Sequence, residues 1–219
     1  MKTSYIIDHI PKDTPYNRRP GLPLAPEYIT VHSTGNPSST ARNERAWLTN
    51  LANKRTASWH ICVDEKEVIE AIPLSEVAWH AGDGASGPGN RKSIAIEICE
   101  SGDRAKTLEN AAELTARLLR ERNWGTERLR RHWDWSGKAC PRIFVADNWA
   151  GWENFKRDVQ KHLESSNEEQ AAQKHPEGSS KEHTAPRHPE DSTKEQTVQR
   201  HPAAAPKPCR RSSAAWKAP

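Results

Sequence analysis

Long hydrophobic runs are absent from this 219-residue sequence. No segment approaches the roughly 20 consecutive apolar residues of a membrane-spanning helix, so we expect no membrane span. The four cysteines, Cys62, Cys99, Cys140 and Cys209, are too few and too scattered for a disulfide scaffold. The N-terminal segment 1–13 is too short and too charged after its few apolar residues to act as a signal peptide. We therefore expect a chain that is synthesised in the cytoplasm as a soluble protein.

Large apolar side chains are almost missing from residues 164–219, which retain only Val198 and Trp216. Such a segment cannot bury enough apolar surface to offset its own chain entropy. It also contains a His-Pro repeat at an interval of 13 residues, visible at His175, His188 and His201. Solenoid repeats are longer and carry apolar positions. We predict a folded domain over residues 1–163, which is large enough to hold a catalytic site. Residues 164–219 are predicted to form a disordered, repeat-containing linker or tail.

A strong excess of charge of one sign is also lacking, since the formal net charge is only +4. Nucleic-acid-binding domains concentrate positive charge in a dense patch, and the nearest candidate here is Arg128, Arg130 and Arg131. We therefore predict no nucleic-acid binding. The mild positive charge is compatible with an anionic polymer as a partner and equally with an ordinary solvated surface.

What the sequence does contain is three short runs that alternate as half-buried strands do. Each run places a polar or titratable residue on one face, which is how a site is built on a rigid sheet. In the first run this residue is His32, and in the third it is Glu97. The runs are Tyr28–His32, Trp59–Val63 and Ile94–Cys99.

Helical periodicity predicts three helices, over residues 40–54, 107–122 and 148–163. We predict Thr107 as the N-cap of the second helix and assign the apolar stripes, including Trp47, to the core. Between the strands, the glycine-rich segment 82–90 predicts a loop that forms the rim of a groove. Its glycines do not follow the nucleotide-binding pattern. The predicted fold class is α/β, with a central mixed β-sheet flanked by helices.

Two histidines and a cysteine form the most informative set of polar residues. His32 ends the first strand, and His132 and Cys140 lie close together in a later segment. Zinc accepts such a mixed nitrogen and sulfur ligand set, and three protein ligands leave a fourth position open for catalysis. Spacing alone leaves the alternative of hydrogen-bonded structural histidines open. A thiol hydrolase that uses Cys140 with His132 is a further alternative.

Five short motifs follow one another along the chain, namely Val31–Thr34, Ser58–Asp64, Trp79–Gly82, Ser93–Cys99 and Ser136–Pro141. Together and in this order they resemble the type 2 N-acetylmuramoyl-L-alanine amidases, a family that includes phage endolysins, bacillus autolysins and, more distantly, peptidoglycan recognition proteins. The resemblance covers about residues 5–160. It implies an α/β amidase fold and one Zn²⁺ per catalytic domain.

The resemblance also implies roles for individual residues. His32, His132 and Cys140 match the zinc ligands, Glu97 matches the catalytic glutamate, and Lys138 matches a lysine that assists the transition state. A carboxylate on a central strand could take a proton from water and pass it to the leaving amine. A lysine beside the metal could stabilise the oxyanion. A structural ion pair for Glu97 and a solvated charge for Lys138 are the alternatives.

The segment around the second strand departs from the family in one position. Trp59 stands where many relatives have tyrosine, and its indole has no titratable hydroxyl, so an acid role is excluded there. We predict that His60, Trp79 and His80 contact substrate. For the two histidines, an outer-shell role beside the metal or a buried structural role is an alternative.

The function implied by the resemblance is zinc-dependent hydrolysis of the amide bond between N-acetylmuramic acid and L-alanine in peptidoglycan. The predicted partner is this substrate, and we expect a monomer that acts on the cell wall after release by a route other than a signal peptide. The resemblance does not separate a phage endolysin from a host autolysin. The alternative in another class is a non-catalytic muropeptide-binding module, although Cys140 is present here.

Overall fold

The computed structural model describes the backbone of residues 3–174 and the side chains of residues 3–165. Its centre is a six-stranded mixed sheet with the order β1-β4-β3-β5-β2-β6. Neighbouring strands are parallel except for the antiparallel pair β3 and β4. This confirms the predicted α/β class with a mixed sheet. The strands are β1 (Ser4–Ile7), β2 (Tyr28–Ser33), β3 (Ile61–Val63), β4 (Glu67–Glu70), β5 (Ser93–Ile98) and β6 (Leu129–Arg131).

Helices cover both faces of the sheet, as the two large clusters of buried side chains show. One cluster joins β2, β5 and the strand residues beside them to α3 and α5, and the other joins the opposite faces of β3 and β5 to α1. His32 and Glu97 alternate with apolar residues of the first cluster, so they lie on the α1 side of the sheet. The helices are α1 (Ala41–Trp47), α2 (Pro88–Lys92), α3 (Arg104–Arg120), α4 (Trp133–Ser136) and α5 (Ala146–Lys174).

Strands β1, β4 and β6 were not predicted from the sequence. Two of these segments, β4 and β6, carry charged residues that hide the alternation of a half-buried strand. The β3–β4 turn is stabilised by Asp64, whose Oδ1 accepts from the backbone nitrogens of Lys66 and Glu67 at 2.7 and 2.9 Å. This hairpin makes the sheet mixed.

Helix boundaries differ from the prediction for local reasons. Asp103, rather than Thr107, caps α3 by accepting from the backbone nitrogen of Lys106 at 3.1 Å, because Thr107 lies inside the helix and is fully buried. Helix α5 continues to Lys174 because no glycine or proline follows Gly151 within it. Segment 82–90 is not all loop, since Gly87 precedes the first turn of α2.

Residues 175–219 lie outside the described part of the chain, and this range contains the predicted His-Pro repeats. The domain boundary at residue 163 and the disordered tail therefore stay predictions. Among the described helices, none has the length and apolar composition to cross a lipid bilayer.

The prediction that the apolar stripe of a helix over residues 40–54 belongs to the core is wrong in part. Leu48 is fully buried, but Leu51 is 75% exposed and Trp47 is 41% exposed. Helix α1 ends at Trp47, so Leu51 no longer keeps the helical phase on which the prediction rested. Trp47 itself is an exposed indole at the last position of α1.

This difference supplies a matched pair for a stability test. Truncating the buried side chain with Leu48→Ala is expected to lower the free energy of unfolding by about 2–5 kcal/mol, because it leaves a cavity under α1. Leu51→Ala is expected to change it by less than about 0.5 kcal/mol. Urea denaturation of both variants checks this, and equal losses would contradict the assigned burial.

Candidate metal centre and groove

Parallel strand pairing places His32 and Glu97 side by side. His32 is near the end of β2, and its register partner on β5 is Glu97. Register partners on neighbouring parallel strands project to the same face. His32 Nδ1 lies 4.0 Å from Glu97 Oε1, and both side chains are largely buried. Strand β6 pairs with β2 on its other side and leads directly into the next residue of the site, His132.

His132 follows directly after β6. Because Arg131 pairs with Val31, the next residue is level with His32, and the His132 backbone nitrogen bonds to the Val31 carbonyl at 3.3 Å. The two imidazole centroids lie 4.7 Å apart. Cys140 returns to the same place after α4, and its carbonyl accepts from the Trp133 nitrogen at 3.1 Å. Residues 100 positions apart in the chain are therefore neighbours in the fold.

The ligand atoms of His32, His132 and Cys140 all lie within 4.8 Å of one another. Cys140 Sγ is 3.8 Å from His32 Nδ1. A tetrahedral zinc ion would hold a sulfur and a nitrogen roughly 3.6 Å apart, given its usual bond lengths. His132 Nδ1 is buried without a hydrogen-bond partner, as expected of an atom that is meant to bind a cation. The three predicted ligands thus form a set that fits a metal ion.

The protonation states of these groups suit cation binding. Burial lowers the pKa of His32 far below its usual value, and the nearby His80 and His132 add to this effect. Burial, with the positive charge of Lys138, lowers the pKa of His132 to about 4. Both imidazoles are therefore neutral at pH 7 and have a lone pair to offer. Burial also raises the pKa of the Cys140 thiol to about 12, so a thiolate here requires a positive charge beside it.

The Glu97 carboxylate stands beside this cluster with one oxygen, Oε2, buried and unpartnered. Burial, with repulsion from Glu44, raises the pKa of Glu97 to about 8, although Lys138 acts in the opposite direction. A carboxyl group whose pKa lies near neutrality can both accept and donate a proton. Its position fits the proton-transfer role, which stays a prediction.

A cavity of about 1380 Å³ lies above the cluster and opens to solvent. The three candidate ligands, Glu97 and Lys138 all line it. Trp79 and His80 line it as well, and the Trp79 indole Nε1–H donates to the Asn17 carbonyl at 2.9 Å. Loop residues Gly82, Gly84 and Ala85 form part of the rim.

His60 does not line this cavity and is fully buried. Its Nε2 bonds to the Glu76 carbonyl at 2.8 Å, and its Nδ1 accepts from the Ala95 nitrogen at 2.9 Å. Both ring nitrogens are therefore used by the backbone, and none is available to a ligand. Substrate contact by His60 stays a prediction. In the structure, neither ring nitrogen of His60 is accessible for such a contact.

The loop that carries Cys140 is fixed to the sheet by an ion pair. Arg142 donates from Nε to both Glu100 oxygens at 2.9 Å, and its backbone nitrogen donates to Ser33 Oγ at 3.1 Å. Glu100 Oε1 also accepts from the Gly35 nitrogen at 2.8 Å. Neither Glu100 nor Arg142 was singled out from the sequence, because an isolated acidic and an isolated basic residue 42 positions apart give no pattern.

Trp47 is the groove residue that sequence reasoning assigned to the core instead. It lines the cavity together with Asn43 and Asn50, on the exposed side of α1 and just beyond it. An indole flanked by uncharged carboxamides is a surface on which a sugar ring can stack and donate hydrogen bonds. The signal in the sequence was the asparagine at each side of an otherwise apolar stripe.

Fold and site together define a class of protein, namely α/β domains with a three-donor candidate metal centre on the floor of an open groove. The chain belongs to the N-acetylmuramoyl-L-alanine amidase family, whose model matches residues 22–143.

Relatives from Bacillus subtilis (strain 168) show the extent of the similarity. N-acetylmuramoyl-L-alanine amidase XlyB is 44% identical over 144 residues, which make up 64% of this chain and 44% of XlyB. N-acetylmuramoyl-L-alanine amidase CwlA is 40% identical over 162 residues, which make up 72% of this chain and 58% of CwlA. The chain thus spans about half the length of the curated relatives it matches.

Solved structures agree with the architecture described above. The catalytic domain of XlyA is 42% identical, with a TM-score of 0.65, and the match covers 72% of this chain and 99% of that domain. PlyL is 36% identical, with a TM-score of 0.61, and the match covers 73% of this chain and 97% of the PlyL chain. The similarity therefore covers nearly three quarters of this chain and almost all of each of the two solved chains.

Proposed function

We propose that this protein is a zinc-dependent N-acetylmuramoyl-L-alanine amidase that hydrolyses the amide bond between N-acetylmuramic acid and L-alanine in peptidoglycan. Membership of the family supports the reaction, as does the similarity to XlyB and CwlA, which are both named N-acetylmuramoyl-L-alanine amidases. The observation that carries the proposal is the His32, His132 and Cys140 cluster, which lies beside an unpartnered buried carboxylate on the floor of an open groove. The site of action is then the bacterial cell wall.

His32, His132 and Cys140 would hold the zinc ion, which when bound supplies a Lewis acid and lowers the pKa of water. Glu97 would take a proton from the attacking water as the new carbon–oxygen bond forms at the lactyl carbonyl. It then returns this proton to the alanine nitrogen as the carbon–nitrogen bond breaks. The products are a carboxylate on the glycan and a free amino terminus on the peptide.

Lys138 is proposed to stabilise the negative charge that develops on the carbonyl oxygen. Its side chain lines the groove, and its positive charge reaches Glu97, His32 and His132 strongly enough to affect their pKa values. A fixed positive charge beside a developing oxyanion lowers the barrier, because the charge is already in position when the reaction occurs.

Two indoles of the groove wall, the exposed Trp47 and the partly buried Trp79, are proposed to contact the polymer. Trp47→Ala is expected to raise KM about threefold to tenfold with little change in kcat, since a lost stacking contact weakens binding without touching the reacting atoms. The control is Leu51→Ala, an exposed apolar residue nearby that does not line the groove. Steady-state turbidity kinetics on purified cell walls measure both, and an unchanged KM for Trp47→Ala would remove it from the substrate site.

Digestion of purified peptidoglycan tests the proposed bond. Mass spectrometry with amino-terminal labelling is expected to find new L-alanine amino termini and no new glycan reducing ends. New reducing ends would show that a glycosidic bond is cut, which contradicts the proposal. A non-catalytic binding module would produce neither product.

Metal removal separates the proposed amidase from a thiol hydrolase. A zinc amidase is expected to lose activity after treatment with a strong chelator and to regain it when zinc is added back. A thiol hydrolase would survive the chelator and would be blocked by a thiol-alkylating reagent under the same conditions. The raised pKa of the Cys140 thiol argues against a free thiolate nucleophile at pH 7.

A further inference from the structure

One two-residue segment contacts both histidine ligands of the proposed metal site. His80 Nδ1 lies 3.1 Å from His32 Nε2. An added Cβ on Gly82, which follows Ala81, would lie 3.3 Å from His132 Nε2, so the backbone of this segment stands beside that ring nitrogen. The Ala81 carbonyl is the acceptor that acts on the His132 ring, and because His132 Nδ1 has no partner, Nε2 is the atom that faces it. The segment thus contacts the far nitrogen of each imidazole, on the side away from the cluster.

The direction of these hydrogen bonds follows from the acceptors. His80 Nε2 faces the Ser93 carbonyl at 3.4 Å, and a carbonyl only accepts, so His80 carries its proton on Nε2. His80 Nδ1 is then a bare acceptor, and His32 must donate to it from Nε2. This leaves His32 Nδ1 unprotonated, 3.8 Å from Cys140 Sγ.

The tautomer of His132 follows from a single acceptor. The Ala81 carbonyl accepts, so His132 carries its proton on Nε2 and presents a bare Nδ1 to the cluster. Close approach of the backbone here depends on Gly82, whose φ is +71° and whose added Cβ would lie 3.3 Å from His132 Nε2. Both ligand imidazoles therefore hold the same tautomer.

Asn90 fixes the segment from behind. Its Oδ1 accepts from the backbone nitrogens of both His80 and Ala81, at 2.8 and 2.9 Å, and its Nδ2 donates to the Gly84 carbonyl at 3.0 Å. The side chain is only 4% exposed. Two backbone N–H groups are both donors, so the atom that they share must be the amide oxygen of Asn90 and not its nitrogen. The orientation of the Asn90 amide is therefore determined. One buried amide thus holds the segment that contacts both imidazoles.

We propose that His80 and Ala81, held in place by Asn90, are positioning groups that select the metal-binding tautomer of both His32 and His132. This inference rests on the proposed metal site and gives His80 a role other than the substrate contact predicted from the sequence. Ligand tautomers that are set before the ion arrives raise metal affinity, and loss of such a partner typically weakens binding 10-fold to 100-fold.

Nitrogen-15 NMR of histidine rings in the metal-free full-length protein tests the tautomers directly. In the wild type, His32 and His132 are both expected to show a proton on Nε2. His80→Leu is expected to give a mixture of tautomers at His32 and to leave His132 unchanged, which serves as an internal control. His80→Asn, whose Oδ1 can still accept near the former Nδ1, is expected to restore the wild-type pattern. A proton on Nδ1 of wild-type His32 would overturn the proposal.

Zinc affinity supplies the second readout, measured by competition with a chromophoric chelator. His80→Leu and Asn90→Leu are expected to weaken zinc binding 10-fold to 100-fold, and His80→Asn by less than about threefold. The matched control is Asn110→Leu, which removes another buried amide that bonds to the Asp64 carbonyl, far from the ligands. It is expected to lower stability without changing zinc affinity. Equal losses of affinity in Asn90→Leu and Asn110→Leu would overturn the positioning role.

The two readouts separate this proposal from the proposed function. If the wild type binds no zinc while both rings show the Nε2 proton, the tautomer selection stands and the zinc site fails. If zinc binds tightly and His80→Leu changes neither the tautomer nor the affinity, the zinc site stands and the positioning role fails.

Discussion

Cys140→Ser is expected to abolish stoichiometric zinc binding and to lower the rate of peptidoglycan hydrolysis by about 10³-fold or more. A serine hydroxyl does not ionise near pH 7 as a metal-bound thiol does, so the site would lose its anionic ligand. Loss of the ion removes several kcal/mol of transition-state stabilisation, which corresponds to this change in rate. Zinc content and the rate of release of L-alanine amino termini are the measurements.

The control for this variant is Cys99→Ala. Cys99 is also a free, buried cysteine, but it packs in the core on the α1 side of the sheet. It is expected to keep the wild-type zinc content and rate, because it offers no atom to the cluster. Full zinc content and activity in Cys140→Ser, or loss of zinc in Cys99→Ala, would contradict the assignment of the sulfur ligand.

Glu97→Gln is expected to lower kcat by about 10²-fold to 10⁴-fold while zinc content and KM stay close to those of the wild type. Glutamine keeps the size of the side chain but cannot take a proton from water at this position. Glu97 Oε1 lies 4.0 Å from His32 Nδ1, but Glu97 is not one of the three candidate ligands, so the proposed proton transfer can be lost without loss of the ion. Steady-state kinetics and zinc analysis of the same sample check both parts.

Two results would contradict the role of Glu97. A variant that retains wild-type kcat would show that proton transfer uses another group. A variant that loses its zinc would show that Glu97 supports the metal site rather than the reaction. The unfolding temperature of the variant is the control, since replacing a buried carboxyl by an amide of equal size leaves the surrounding packing intact.

Much of the sheet could be predicted because its central strands have clear alternation. Strands β2 and β5 were placed within one residue at each end, and their register brings together His32 and Glu97. Buried strands of this kind have apolar side chains at every second position, so their periodicity survives in the sequence. The prediction was weaker for β3, which begins at Ile61 rather than at Trp59.

Convergence of the metal ligands could not be derived from periodicity. His132 depends on β6, a three-residue strand with two arginines, and nothing in its sequence indicates a place beside β2. Residue type made His32, His132 and Cys140 a candidate ligand set, and the resemblance to a family implied that they bind one metal ion, but periodicity gave no reason for them to lie close together. The ligands are brought together by strand order, which is a property of the whole fold.

The roles of the neighbouring histidines were also beyond sequence reasoning. His60 precedes a short apolar run and His80 follows one, so the two look alike in the sequence. In the structure, the His60 ring bonds only to backbone groups, whereas the His80 ring bonds to the candidate ligand His32. Their difference lies in which acceptors face each ring nitrogen. Such contacts come from residues distant in the chain, including Ser93, and leave no local pattern.

Zinc X-ray absorption spectroscopy of the purified full-length protein tests the central claim most directly. The account predicts one zinc ion per chain, bound by two nitrogen atoms at about 2.0–2.1 Å and one sulfur atom at about 2.3 Å, with a lighter atom in the remaining position. A protein without zinc, or a zinc spectrum that lacks the sulfur shell, would contradict it.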